Sequence, residues 1–244
     1  MIRKRTGESV VRIAVLRNFF HFFMFYPKMV RMYKHPEKYS EKDKFDYNQH
    51  IFDVFLKTCR CEVSVIGAEN IPSDTNCFIC ANHQGKFDPL VIWKTFGKPL
   101  SVVVDQAAVN RPVIRELCGI YKSYLFDRTN IRVTLKQSKR LEADLKSGES
   151  CMVFPEGKYE EDCDVLTKFK PGCFRAPYKA RIDIVPVVIR GIWRVFENGE
   201  KKPYPVTVHY LTPIKYDEYK DMTTAEIAAE VQSRIQSVID ELGC

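Results

Sequence analysis

A histidine and an aspartate stand five positions apart in "NHQGKFD", residues 82–88, directly after the apolar run "CFICA". An imidazole is the side chain that takes and returns a proton near neutral pH. A carboxylate that accepts its other N–H fixes the tautomer and stabilises the imidazolium. His83 as general base with Asp88 as its orienter is one reading; a plain polar turn is the other. On a straight helix the two would lie about 140° apart. The pair therefore requires a turn at Gly85 and its neighbours before a helix begins near Asp88. Two further polar clusters follow apolar runs, "FDR" (126–128) and "FPEGK" (154–158). The planar fork of Arg128 suits a phosphate, unless it simply pairs with Asp127. Gly157 lets backbone amides approach a ligand closely.

These clusters need a scaffold that brings strand ends together. Short apolar runs at "CEVSVI", "CFICA", "LSVVVDQ", "SYLFDR", "SCMVF", "IDIVPVVIR" and "VTVHYL" read as strands. Between several of them lie helical patterns: "DPLVIWKTF", "RPVIRELCGIY" and "RVTLKQSKRLEADLKSG". Ile51, Phe52, Phe55 and Leu56 mark one face of an earlier helix. The tail 223–243 is a helix with Thr223 and Glu226 as a capping box. Ile227, Val231, Ile235, Val238 and Leu242 form its apolar face. Strands alternating with helices predict an α/β fold, a mostly parallel sheet flanked by helices. In such a sheet ligands collect where strands meet their following loops, so the three clusters are expected to converge.

The charge is unevenly placed. Of the net +7, residues 1–34 hold eight Lys/Arg and one acid, leaving 30 basic and 30 acidic groups in the remaining 210 residues. A nucleic-acid binder needs its basic stripe on the folded body, so this class is disfavoured. The same N-terminal region carries Phe19, Phe20, Phe22, Phe23, Phe25 and Tyr26. Its uncharged stretch, Asn18 to Pro27, is far short of the ~20 residues of a membrane span. Pro27 is expected to divide it into two short helices, aromatic on one side and basic on the other. That describes an interfacial anchor on an anionic membrane surface; packing on the body is the alternative, and the two are compatible. We expect residues 1–50 to form this membrane-associating segment and residues 51–244 the α/β domain.

Nine cysteines, an odd number, in a large chain read as free thiols in a reducing cytoplasm. Cys59, Cys61, Cys77 and Cys80 give a CxC…CxxC spacing, but "CFIC" lies in an apolar run, where cysteine behaves as a small hydrophobe. Core thiols are expected there, with no metal and no covalent role for Cys80.

Taken in order, "NHQGKFDP", "FDR", "FPEGK" and "IVPVVIRG" resemble the four motifs of the glycerolipid acyltransferases that share NHxxxxD. "GAENIP" before them and "FKPGCFRAP" after the third fit as well, so the resemblance covers roughly residues 60–215. It is nearest to the 1-acylglycerol-3-phosphate acyltransferases of the PlsC type. It implies a fatty acyl transfer from acyl-CoA or acyl carrier protein to a lysophospholipid hydroxyl, giving phosphatidate at the cytoplasmic face of the membrane. It implies no cofactor beyond that acyl co-substrate. His83 and Asp88 are then the catalytic pair. Asn82, Phe126, Arg128, Pro155, Glu156, Gly157 and Lys158 are the substrate-binding set, with Arg128 on the acceptor phosphate. Because a carboxylate repels phosphate, Glu156 is expected to orient Arg128 or to bind hydroxyls. The chain departs from the family at Lys158 and Tyr159, where Thr or Ser and then Arg are usual, and at the glycine usual before "FDR". Another lysophospholipid headgroup, or glycerol 3-phosphate, therefore stays open as acceptor. A lipid hydrolase and a non-catalytic membrane-binding protein are the rival classes. The first lacks a G-x-S-x-G elbow, and the intact "NHxxxxD" and "FPEG" weigh against the second.

Overall fold

The computed structural model of the chain describes residues 19–158, 166–193 and 203–242. Two helices come first, α1 (Phe19–Lys34) and α2 (Glu41–Thr58), then strand β1 (Cys61–Ile66). The body continues as β2 (Phe78–Ala81), α3 (Asp88–Phe96), β3 (Ser101–Asp105), α4 (Ile114–Ile120), β4 (Tyr124–Phe126), α5 (Ile131–Lys146) and β5 (Cys151–Val153). It ends with α6 (Arg175–Ala180), β6 (Ile184–Arg190), β7 (Tyr204–Tyr210), α7 (Tyr216–Tyr219) and α8 (Thr224–Leu242). The strands form one sheet in the order β1-β7-β6-β2-β5-β3-β4, parallel at every pairing except β6 with β7. The expected α/β class and mostly parallel sheet are observed.

Two apolar layers sandwich the sheet. Ile79, Val91, Trp93, Met152, Val185 and Val187 belong to one core, with Phe52 and Leu56 of α2. Phe78, Cys80, Val153, Leu141, Leu145 and the α8 residues Ile227, Val231 and Ile235 belong to the other. Alternate residues of β2 and β5 thus feed opposite faces, as the two-residue side-chain period requires. The α8 capping box forms, with Thr223 Oγ1 and N donating to Glu226 Oε2 (2.8 and 2.7 Å) and Glu226 N donating back to Thr223 Oγ1 (3.3 Å). Leu242, assigned to the apolar face, is exposed, although its carbonyl accepts from Arg190 Nη1 at 2.7 Å.

Pro27 does not divide the N-terminal segment. It sits inside the single helix α1. Contacts on both sides hold the helix in line: Met29 and Met32 pack with Ile120 of α4, and the Tyr47 hydroxyl of α2 donates to the Phe25 carbonyl at 2.6 Å. Tertiary packing outweighs the one helical hydrogen bond that proline removes. The aromatic block also splits. Phe19, Phe20 and Phe23 are exposed, whereas Phe22, Phe25 and Tyr26 face an internal cleft. Position 50, expected to divide segment from domain, lies inside α2. The basic residues before position 19, and Tyr159, lie outside the described residues.

Candidate active site

The polar clusters follow β2, β4 and β5, and Asp105 ends β3; these four strands are neighbours in the sheet. All the loops leave the same edge because the strands are parallel. The site is therefore built at the carboxyl ends of the strands, as the topology requires.

β2 stops at Ala81, and Asn82 closes its edge. The Asn82 amide donates to the Ile189 carbonyl (3.0 Å) and accepts from the Ile189 N–H (2.7 Å). Both polar ends of this buried side chain are spent on β6, so Asn82 anchors the turn and is not the substrate contact expected. The chain then turns and enters α3 at Asp88. One carboxylate oxygen, Asp88 Oδ2, meets His83 Nδ1 at 2.6 Å and accepts the N–H groups of Gln84 (2.6 Å) and Gly85 (2.9 Å). These donors replace water at one oxygen of the fully buried carboxylate, while Oδ1 has no hydrogen-bond partner among the described residues. The turn that the His–Asp spacing requires is present. A Cβ on Gly85 would meet nothing within 4 Å, so its contribution is the backbone N–H.

His83 is held from two further sides. Its ring stacks on Phe154 with centroids 4.6 Å apart, and its backbone N–H donates to Glu156 Oε1 at 2.7 Å. Glu156 Oε2 accepts the N–H and hydroxyl of Thr167, both at 2.8 Å. The expectation for Glu156 is thus corrected. It is buried and ties the β5 loop to the His83 turn and to Thr167, and does not orient Arg128. With Nδ1 committed to Asp88, the basic lone pair of a neutral His83 falls on Nε2, the tautomer that general-base chemistry needs.

Arg128 reaches across the strand ends. Its Nε pairs with Asp105 Oδ2 at 2.6 Å, and its Nη2 donates to the Gly157 carbonyl. Asp127 is occupied in its own loop, accepting from Thr129 N (2.8 Å), Thr129 Oγ1 (2.6 Å) and Asn130 N (3.2 Å). Those hydrogen bonds hold its carboxyl below the usual range. Gly157 has φ +71°, a backbone conformation that favours glycine; a Cβ there would lie 2.3 Å from Lys170 Nζ, the end of a flexible side chain that can move aside. Pro155 is buried, and its carbonyl accepts the Lys170 N–H at 3.0 Å; it shapes the loop and offers no polar contact through its side chain.

His83, Arg128, Gly157, Lys158 and Phe126 all line one cleft of ≈ 1360 Å³. That exceeds the about 300–1,000 Å³ usual for small-molecule sites. Its apolar lining includes Phe22, Phe25 and Met29 of α1, Phe55 of α2, Trp93 of α3 and Leu117 of α4. Its charged lining includes Arg111, Arg128, Lys158 and Lys170, with the acids Asp105 and Asp127. The arrangement fits a molecule with a long hydrocarbon part and an anionic head, brought to a histidine.

The Acyltransferase family model matches residues 62–190, more than half of the chain and every residue of the site from Asn82 to Ile189. The chain belongs to the acyltransferase family. It is similar to the "Probable 1-acyl-sn-glycerol-3-phosphate acyltransferase" of Mycoplasma pneumoniae, at 24% identity over 82% of this chain and 79% of that one. It is similar also to the 1-acyl-sn-glycerol-3-phosphate acyltransferase of Borreliella burgdorferi, at 25% identity over 72% and 73%. The crystal structure of PlsC, the 1-acyl-sn-glycerophosphate acyltransferase of Thermotoga maritima, has the same fold, with a TM-score of 0.76, 19% identity and 97% and 98% coverage.

In this acyltransferase Cys59, Cys77, Cys80, Cys118 and Cys151 are buried, and Cys61 and Cys173 partly so. Cys77 and Cys80 are fully buried in or beside β2, and Cys151 on β5 shares a core with Cys80. Burial pushes the Cys77 and Cys151 thiols up to about 12 and Cys80 well above its ordinary value. A thiol so disfavoured as thiolate is a poor nucleophile. Among the described residues no three His, Cys, Asp or Glu side chains are grouped to hold a metal ion. Three supporting residues escaped the sequence reading. Asp105 carried a usable signal, a polar residue at the end of an apolar strand. Phe154 lay inside a quoted motif. Thr167 carried none, because only the fold brings it to Glu156.

Proposed function

We propose that this acyltransferase moves a fatty acyl group from a thioester, acyl-CoA or acyl-acyl carrier protein, to the sn-2 hydroxyl of 1-acylglycerol 3-phosphate, giving phosphatidate. The observation that carries the reading is the His83–Asp88 pair, with His83 lining a large cleft whose walls carry both apolar and basic side chains. His83 Nε2 takes the hydroxyl proton as the oxygen attacks the thioester carbonyl carbon. The tetrahedral intermediate collapses with loss of the C–S bond. The imidazolium returns its proton to the departing thiolate, so the products are the new ester and a free thiol. No acyl-enzyme is needed, which agrees with the inert, buried thiols. Asp88 keeps Nδ1 protonated and steadies the imidazolium. The basic side chains of the cleft suit the acceptor phosphate, and its apolar side chains suit the acyl chains.

The names of the relatives support this acceptor. Lys158 favours keeping a second one in view, because it places a cation where the family usually has a hydroxyl residue. An acceptor panel assayed with acyl-CoA and with acyl-acyl carrier protein separates them. Lysophosphatidate should be used with a kcat/KM at least about 10-fold above glycerol 3-phosphate and other lysophospholipids, a gap of about 1.4 kcal/mol. A larger kcat/KM for any other acceptor would overturn the assignment.

We further infer that the protein works on an anionic membrane surface, peripherally and from the cytoplasmic side. No described helix is long and apolar enough to cross a membrane. Phe19, Phe20 and Phe23 are exposed on α1, next to a basic segment that precedes them in sequence. Amphipathic basic–aromatic helices lie in the interface. The double substitution Phe20→Ser and Phe23→Ser leaves Met29, Met32 and the α4 contact untouched. It should weaken co-sedimentation with phosphatidylglycerol vesicles about 10-fold or more, given about 1.5–3 kcal/mol for a fully buried large side chain. Undiminished binding would contradict the anchor.

A further inference from the structure

We infer that Asp105 is a positioning residue for the acceptor site: it grips Arg128 by Nε and thereby selects the edge of the guanidinium that meets the acceptor phosphate. This deepens the reading above and rests on its phosphate-bearing acceptor.

Asp105 closes β3, whose register sets it beside Phe126 on β4, two residues before Arg128. Its carboxylate is fixed at both oxygens. Oδ1 accepts the Ala107 N–H at 2.9 Å, capping the 3-10 turn Gln106–Asn110. Oδ2 pairs with Arg128 Nε at 2.6 Å. A second bond, from Nη2 to the Gly157 carbonyl, ties the same guanidinium to the loop after β5. β5, β3 and β4 are consecutive in the sheet, so Arg128 is strapped across three strand ends.

A guanidinium has five N–H donors in one plane. Asp105 and Gly157 take one each along the Nε–Nη2 edge. The outer end, Nη1 with the remaining Nη2 hydrogen, is the edge left pointing to substrate, and two parallel N–H groups there match a phosphate. The other acid beside it in the cleft, Asp127, is spent on Thr129 and Asn130. Asp105 is thus the carboxylate that sets Arg128. It works from the side, where its charge is met by Nε and is not aimed at the incoming anion.

The test is Asp105→Asn. Asparagine caps about as well as aspartate, so the Ala107 bond survives, while the ion pair is lost. Arg128 then swings between edges. The lysophosphatidate KM should rise about 10-fold, the scale of a lost charge-assisted hydrogen bond, with kcat within about two-fold. In an Arg128→Ala background the same substitution should add less than about two-fold. A KM unchanged or lowered by Asp105→Asn in active enzyme overturns the inference. So does a parallel fall of kcat and melting temperature, the mark of a merely structural residue. Wild-type enzyme that does not acylate lysophosphatidate would instead overturn the acceptor reading, and this inference with it.

Discussion

His83→Ala is expected to lower kcat for acyl transfer by about 10²–10⁴-fold, the range carried by a positioned general base, while the protein folds and binds vesicles as before. The acceptor hydroxyl is a weak nucleophile with its proton on, and an imidazole such as that of His83 is the side chain suited to take that proton near neutral pH. Removing it leaves water as the base. The fold should tolerate the change for specific reasons. The His83 side chain is 17% exposed and not part of either core. Asp88 still accepts the Gln84 and Gly85 N–H groups, so the carboxylate keeps two donors when the imidazole is gone. The backbone bond from residue 83 to Glu156 is independent of the side chain. Unchanged circular dichroism with rates near wild type would contradict the assignment of His83 as base.

Asp88→Asn is the second large effect, expected at about 10²–10³-fold in kcat, the scale of one buried charge beside an imidazolium. The substitution keeps the shape and removes the charge. In the wild type Asp88 Oδ2 accepts, which fixes hydrogen on Nδ1. The same oxygen meets the Gln84 and Gly85 N–H groups, so an asparagine keeps its oxygen there and puts its NH₂ at the position of Oδ1, which has no hydrogen-bond partner among the described residues. Nδ1 keeps its hydrogen, but the negative charge that steadies the imidazolium is lost. Nitrogen chemical shifts of labelled histidine should report an unchanged tautomer alongside the lowered rate. A variant within about 10-fold of wild type would remove Asp88 from the mechanism.

The parts of this protein legible in its sequence are those decided by neighbours along the chain. The α8 capping box spans four residues and formed as expected. The His83–Asp88 turn is local too, and the alternation of strands and helices announced the parallel sheet. What stayed hidden was decided across the fold. Asn82 looked like a substrate ligand because it adjoins His83, yet its amide is consumed by Ile189, 107 positions away. Glu156 looked like a partner for Arg128, yet its partners are the His83 backbone and Thr167. Asp105 took that place because β3 and β4 are adjacent, an order no local pattern announces. Pro27 marked a break that packing against α2 and α4 removed.

The central claim is that His83 drives direct transfer of the acyl group to the acceptor hydroxyl. It is tested most directly by following acyl-labelled thioester with lysophosphatidate on anionic vesicles, using wild type and His83→Ala side by side. The account predicts label in phosphatidate for the wild type, one free thiol released per ester formed, and almost no label in phosphatidate for the variant. Label recovered chiefly as free fatty acid, or equal label in phosphatidate from both proteins, would contradict it.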